Sequence, residues 1–392
     1  MGKQSGTRRV VVCGHLCLDI IPSFPSGDGR GDWFRPGALY MVGAPVISTG
    51  GAVSNVGLSL NRLGVPVQLL AKIGHDPLGR LIMEHIDAEG EGLSDGILSL
   101  DGETSSYSAV INPPGVDRIF YHCPGANDTF SAEDVSEESL RGAALFHFGY
   151  PPIMRRIYRD GGKSLVEILK RARGAGALTS LDMSLPDPKS ESGRVDWLSF
   201  LTLVLPFVDF YVPSIEESLF MLDRPRFDGF LAMGGGDAII RGMGLDDVAE
   251  VAGKALALGA GNVLMKFGHR GAYLRTGARP IPGLPGWESR ELYSPVFAVD
   301  RVAGTTGSGD ATIAGFLASV FHGLPPQDAL SMAEAVGGCC VEAPDATSGI
   351  RGWEATRQRV SLGWKRSTVT APGTGWTRSP EGTWSGPRDG KP

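Results

Sequence analysis

From about residue 143 the chain alternates, without an internal sequence repeat, between short apolar runs and amphipathic helical stretches. "ALFHFG" (144–149) leads into "GGKSLVEILKRARGAG" (161–176) and then "ALTSLDMS" (177–184). "FVDFYVP" (207–213) is followed by "SIEESLFML", and "DDVAEVAGKALALGAG" (246–261) by "NVLMKFG" (262–268). Near-continuous apolar runs of this length suit strands buried on both faces. Parallel strands need a crossover of a dozen or more residues, most often a helix, which is what the intervening stretches supply. The alternation therefore predicts an α/β fold: an open, mostly parallel central sheet flanked by helices. Earlier in the chain, "VVVCGHLCLDII" (10–21) reads as one buried strand broken by Gly14 and ending near Asp19. "GGAVSNVGLSLNRLG" (50–64) and "DPLGRLIMEHIDAEG" (76–90) read as helices on either side of the strand "VPVQLLAKIG" (65–74).

Two stretches break the alternation, 22–47 and 104–125. The second alternates around a Pro-Pro-Gly turn and reads as a hairpin. Together they predict a small β appendage on a single large domain spanning 1–360. Residues 223–245 are Gly-rich and weakly patterned, and read as an insertion. From 361 to 392 the chain is rich in Gly, Pro, Ser, Thr and Trp without a period, and reads as a C-terminal tail. A net charge of −6 over 392 residues gives no support to a nucleic-acid partner. No apolar run is long enough to span a membrane, and the polar N-terminus does not read as a signal peptide. Five cysteines without a C-x-x-C pair favour a reducing compartment, and a cytoplasmic location is the expectation.

The chemistry concentrates at "GTTGSGDATIAGFLASVFHG" (304–323). After Asp310 the apolar residues fall on one helical face, so the helix begins near Gly307–Asp310. Glycine N–H groups and the helix dipole make such an entry an anion site. A carboxylate beside a bound anion is repelled by it, unless it holds a hydroxyl that attacks the anion; it then serves as general base. Without context, a first-turn acid stabilising a helix is the plainer reading. Other phosphate motifs fail: "GGKS" at 161–164 has Ile157 where a P-loop needs Gly, and Gly307-Ser308-Gly309 lacks the third dinucleotide-fold glycine.

Context favours the catalytic reading. "GHLCLDI" (14–20), "GGAVSNVGLSLNRLG" (50–64), "AKIGHDPLGRLI" (71–82), "GVDRIFYHCPGAND" (115–128), "VPSIEES" (212–218), "LMKFGHRGAYL" (264–274) and "GTTGSGDATIAGFL" (304–317) occur in the order found in the PfkB, or ribokinase-like, carbohydrate kinases, which the chain resembles over roughly 10–350. The resemblance implies a ribokinase-like fold and an ATP-dependent sugar kinase that phosphorylates a primary hydroxyl of a small carbohydrate. Asp310 would be the base, and Gly307, Ser308 and Gly309 the anion hole. Asp19, Gly50, Gly51 and Asn55 would hold the sugar. Lys266, Gly268 and Gly271 would line the nucleotide, with the helix near 327–342 beside adenine. Glu217 would organise Mg2+ and phosphate through water. The small β appendage would form a lid over the sugar, and a homodimer through the lid is the expected assembly. The departures are Gly304, where relatives carry an acid that helps bind a monovalent cation, Ser214 in place of an Asn, Ala52 where a Lys often follows the Gly-Gly pair, and Ser184 and Pro186 after Asp182, where the family has an Asn and an Arg. They leave a monovalent-cation requirement open. They also leave room for a nucleoside or vitamin kinase, with Phe34, Tyr40, Phe120 and Tyr121 stacking on a base, and for a non-catalytic sugar or nucleotide sensor. His15, His122 and His147 lie in apolar contexts and read as structural.

Overall fold

A computed structural model describes residues 8–25, 33–114, 119–368 and 372–391. Among these, the main sheet has eleven strands. Seven are mutually parallel, in the spatial order Ile97–Leu100, Val67–Gly74, Arg9–Gly14, Ala143–Gly149, Leu178–Leu181, Phe210–Tyr211 and Asn262–Lys266. Ala272–Thr276 and Glu291–Ser294 then extend it antiparallel. Successive residues of the first strand face opposite cores: Val11 and Cys13 pack in one, Val10 and Val12 in the other. This is why these strands read as unbroken apolar runs rather than alternating ones.

The run 10–21 is not one strand. It forms Arg9–Gly14 in the main sheet and Cys17–Ser23 in a separate four-stranded sheet with Gly43–Gly50, Tyr107–Ile111 and Ile119–Cys123. The break is at Gly14. Its φ is +127°, and a Cβ there would collide with the Gly149 carbonyl on the adjacent strand, so only glycine lets the chain leave the main sheet at that point. The expected hairpin is present as Tyr107–Ile111 against Ile119–Cys123; part of its turn, and residues 26–32 of the first excursion, lie outside the described residues. In the small sheet Asp19 pairs with Ser48 on one side and Ser108 on the other, and Ser108 pairs with His122, which sets one polar row across it.

Residues 223–245 are ordered as two helices, Arg224–Gly234 and Gly236–Gly242. Their apolar residues are too few to show a period, yet Phe227, Ile239, Ile240 and Met243 are all buried in the core, and the glycines mark the junction. The stretch read as a patternless tail also packs. Thr377–Arg378 and Trp384–Ser385 add two antiparallel strands to the main sheet through Glu291–Ser294. Buried Glu291 accepts from Arg388 Nη1 at 3.0 Å, and Arg290 Nε donates to Asp389 at 2.7 Å. No helix of the described residues is long and apolar enough to cross a membrane, and all five cysteines are free thiols.

Candidate active site

The helix Ser308–Phe321 starts at Gly307, whose φ of +73° and close approach to Ala346 admit no side chain. Its first turn presents N–H groups that helix geometry leaves without intrahelical acceptors; that of Ser308 lies 3.3 Å from the Thr305 carbonyl. Asp310, in this turn, is 5% exposed. Its Oδ2 accepts from Asn55 Nδ2 at 2.9 Å, and its Oδ1 from the Tyr150 hydroxyl at 2.7 Å. Burial pushes the Asp310 carboxyl above its usual range, against the opposing pull of Lys266 and the two donors. Asn55 comes from the helix Gly51–Arg62. Tyr150 directly follows the strand Ala143–Gly149 and sits in the left-handed region at φ 67°, an uncommon conformation for a tyrosine.

Beside Asp310 lies an ion cluster. Lys266 Nζ, at the end of Asn262–Lys266, is 2.8 Å from Asp182 Oδ1. Asp182 is 1% exposed, and its Oδ2 is buried without a partner. Glu217 Oε2 accepts from the Ser214 N–H at 2.6 Å and Ser214 Oγ from the Glu217 N–H at 3.3 Å, a reciprocal cap on the helix Ile215–Leu222. Burial raises the Asp182 and Glu217 carboxyls, with Lys266 opposing in each case. Burial alone would lower the Lys266 ammonium; Asp182, Glu217 and Asp310 outweigh it and hold it above its ordinary value. The orphaned Asp182 oxygen, with Glu217 nearby, is a fitting oxygen donor set for a hard divalent cation such as Mg2+.

A cavity of about 360 Å³ opens next to this cluster, lined by Lys266, Gly268, Gly271, Ser308, Gly309 and Glu334 among others. Glu334 is buried, and its carboxyl is pushed up to about 8 by that burial, with Arg366 opposing. A larger cavity, about 760 Å³, lies at the opposite edge of the sheet around the starts of Leu178–Leu181 and Asn262–Lys266, away from these groups.

The helix that carries Asn55 begins at Gly50 and Gly51, which stand against Asp19 and His15. Side chains at Gly50 and Gly51 would strike the Asp19 carboxylate and the His15 ring. Burial raises the Asp19 carboxyl, with Cys17 and Ser108 hydrogen bonds opposing. Of the aromatics named for stacking, Tyr40 lies against Trp33, while Phe120 and Tyr121 are exposed on neighbouring positions of one strand. Gly304 packs on the carbonyls of Ala343 and Pro344, so an acid at that position would need this loop to move.

The structure thus brings Asp310 and Asn55 into contact. It sets Lys266, Gly268, Gly271, Ser308 and Gly309 around one cavity, and Asp19 against the Gly50–Gly51 helix entry. Reasoning from sequence missed Tyr150 and Asp182. The available signal was positional: both follow strand runs, "ALFHFG" and "LTSL", at the carboxyl ends where open parallel sheets gather ligands.

Comparison with known proteins gives one family. The pfkB family carbohydrate kinase model matches residues 8–351. A 2-dehydro-3-deoxygluconokinase of Bacillus subtilis (strain 168) is 24% identical over 328 residues, 83% of this chain and 89% of the relative. Fructokinase-1 of Zea mays is 27% identical over 203 residues, 50% of this chain and 58% of the relative. The structure of Arabidopsis thaliana ribokinase complexed with ribose and ATP aligns with a TM-score of 0.68 at 18% identity, over 90% of this chain and 98% of that one.

Proposed function

The chain belongs to the pfkB family of carbohydrate kinases, and on that footing we propose that it transfers the γ-phosphoryl of Mg·ATP to a hydroxyl of a small carbohydrate, with Asp310 as general base. The observation that carries this is the Asp310 carboxylate. It is buried, held by two donors, and placed in the first turn of a helix whose first residues, Ser308 and Gly309, line a cavity. The substrate oxygen attacks phosphorus in line as its proton passes to Asp310, and the bond from phosphorus to the β-phosphate bridging oxygen breaks to leave ADP. The Asn55 and Tyr150 hydrogen bonds fix the carboxylate's orientation, so its free lone pairs aim at the incoming hydroxyl. The N–H groups at Gly307–Gly309 and the Lys266 ammonium meet the charge that develops on the transferred group.

Mg2+ held by Asp182 and, through water, by Glu217 would neutralise phosphate charge. Asp19, Gly50, Gly51 and Asn55 bind the sugar in this reading, and Gly268 and Gly271 border the nucleotide. The small sheet acts as a lid that excludes water, so that ATP is not hydrolysed. A carboxylate and an amide, Asp19 and Asn55, suit the paired hydroxyls of a polyol better than a flat base, which supports a sugar over a nucleoside.

The test is ATP consumption screened over sugars, sugar acids and nucleosides, with Asp310→Asn alongside. Turnover with a carbohydrate, lost by about 10³-fold or more in the variant while an ATP analogue still binds, is the expected result. Equal rates in both proteins would remove Asp310 from the base role. Tight sugar binding with no turnover on any substrate would make the protein a sensor.

A further inference from the structure

We propose that His15, Cys17 and His122 form a binding site for one soft, tetrahedrally coordinating divalent cation, with Zn2+ as the probe, at the junction between the small sheet and the main sheet. Three separate segments supply the ligands. His15 lies in the crossover after Arg9–Gly14, Cys17 opens the strand Cys17–Ser23, and His122 lies in Ile119–Cys123. Their ligand atoms all lie within 4.8 Å of one another.

The spacing is the first argument. His15 Nε2 and His122 Nε2 are 3.2 Å apart. Two zinc–nitrogen bonds of about 2.0–2.1 Å at a tetrahedral angle put their nitrogens about 3.3 Å apart. The separation, which in the metal-free protein is that of a hydrogen bond between the rings, is also the one a zinc ion requires of two nitrogen ligands. The second argument is the outer hydrogen bond. His122 Nδ1 lies 3.0 Å from Ser108 Oγ, the kind of partner that fixes the tautomer of a ligating imidazole and turns its other nitrogen to the metal. His15 Nδ1 is buried against Gly51 without an acceptor, which leaves Nε2 as the nitrogen facing the cluster. The third is the donor set. Two imidazoles and a thiol are a zinc combination, unlike the all-oxygen set of Asp182 and Glu217.

Asp19 Oδ1, 3.5 Å from Cys17 Sγ, accepts from the thiol in the metal-free protein and is left to the sugar, so water takes the fourth position. Binding forms a sulfur–metal bond and releases the Cys17 thiol proton to solvent. The bound cation ties the strand Ile119–Cys123 to the crossover, and so fixes the small sheet against the main one.

The test uses the full chain, freed of metal with a chelator and titrated with Zn2+ in competition with a chromophoric chelator, then with Co2+ followed by absorption. One equivalent of Zn2+ is expected. The Co2+ form should show the visible bands of a tetrahedral site and a sulfur-to-cobalt charge-transfer band. Cys17→Ser should abolish that band, and His122→Gln should keep it while weakening Zn2+ at least about 100-fold. His122 is exposed, so its variant leaves the core intact. His75→Gln, at a surface histidine paired with Asp101, should change nothing. Failure to bind one equivalent, or binding that survives both Cys17→Ser and His122→Gln unchanged, would overturn the site. None of these readouts depends on kinase turnover.

Discussion

Asp310 takes two hydrogen bonds from residues 160 and 255 positions away in sequence. Both donors favour the ionised form, while burial opposes it and wins. A general base works only when ionised, so kcat/KM should fall on the acid side at a pH above the ordinary carboxylate range. Tyr150→Phe removes one donor that holds the carboxyl down. The acid limb should therefore move to still higher pH, and kcat should drop about 10-fold. A lower kcat with an unmoved limb would make Tyr150 a packing residue only, and a pH–rate profile separates the two. At Gly307 the backbone is left-handed and a Cβ would collide with Ala346, so Gly307→Ala should cost roughly 1–3 kcal/mol, read as a lowered denaturant midpoint. The helix entry at Gly307–Asp310 was legible from its own neighbours because a glycine-rich turn before a helical run is a local pattern, whereas a catalytic role for Asp310 was read from the motifs elsewhere in the chain. Tyr150 was not, because nothing near residue 150 in sequence points to residue 310.

The C-terminal elements bear on the site through the helix Pro326–Cys340. Arg366 donates to Ser331 Oγ on that helix at 2.7 Å and to Ser294 Oγ at 2.6 Å, and lies over the Phe297 ring. Trp364 stacks on the Phe297 ring as well, with the ring centroids 4.6 Å apart. Phe297 and Glu334 both line the 360 Å³ cavity, so Trp364 and Arg366, past the family's matched span, pack behind its wall. Glu334 titrates near 8 in the fold, against a carboxylate value of 4.5 when unfolded. Between those values the folded state binds more protons than the unfolded one. The stability Glu334 confers is thus complete below about pH 4.5 and is lost as pH rises through 8. Glu334→Gln should flatten this slope and be the more stable protein at pH 9, by about 2–4 kcal/mol at most. Urea unfolding of both proteins at pH 5 and pH 9 measures it, and parallel slopes would contradict it. The tail and the 223–245 helices were illegible for one reason: each is ordered by burial of isolated residues such as Phe227 and Trp384 against partners far along the chain, which leaves no period to read.

For the whole molecule, the small sheet has one polar side toward Asp19 and an apolar outer portion. Leu39 is 87% exposed and Met41 79%, with Val46, Phe120 and Tyr121 also largely exposed. Large apolar side chains left in water on a small sheet and the segment leading into it are what a second copy would cover. A homodimer joined through these lids is the expected state, and Met41→Asp with Val46→Asp should convert it to a monomer in light scattering; a monomeric parent protein would refute the assembly.

The sequence by itself determined the layered α/β architecture, because strand and helix periods are properties of adjacent residues. It also marked the helix entry at Gly307–Asp310, because phosphate-facing helix termini need local glycines. Only the tertiary structure decided that 10–21 divides between two sheets, that Tyr150 and Asp182 join Asp310 and Lys266, and that His15 meets His122. Those meetings depend on which strands become neighbours, and strand order is set by packing between segments a hundred or more residues apart, where no local pattern records it.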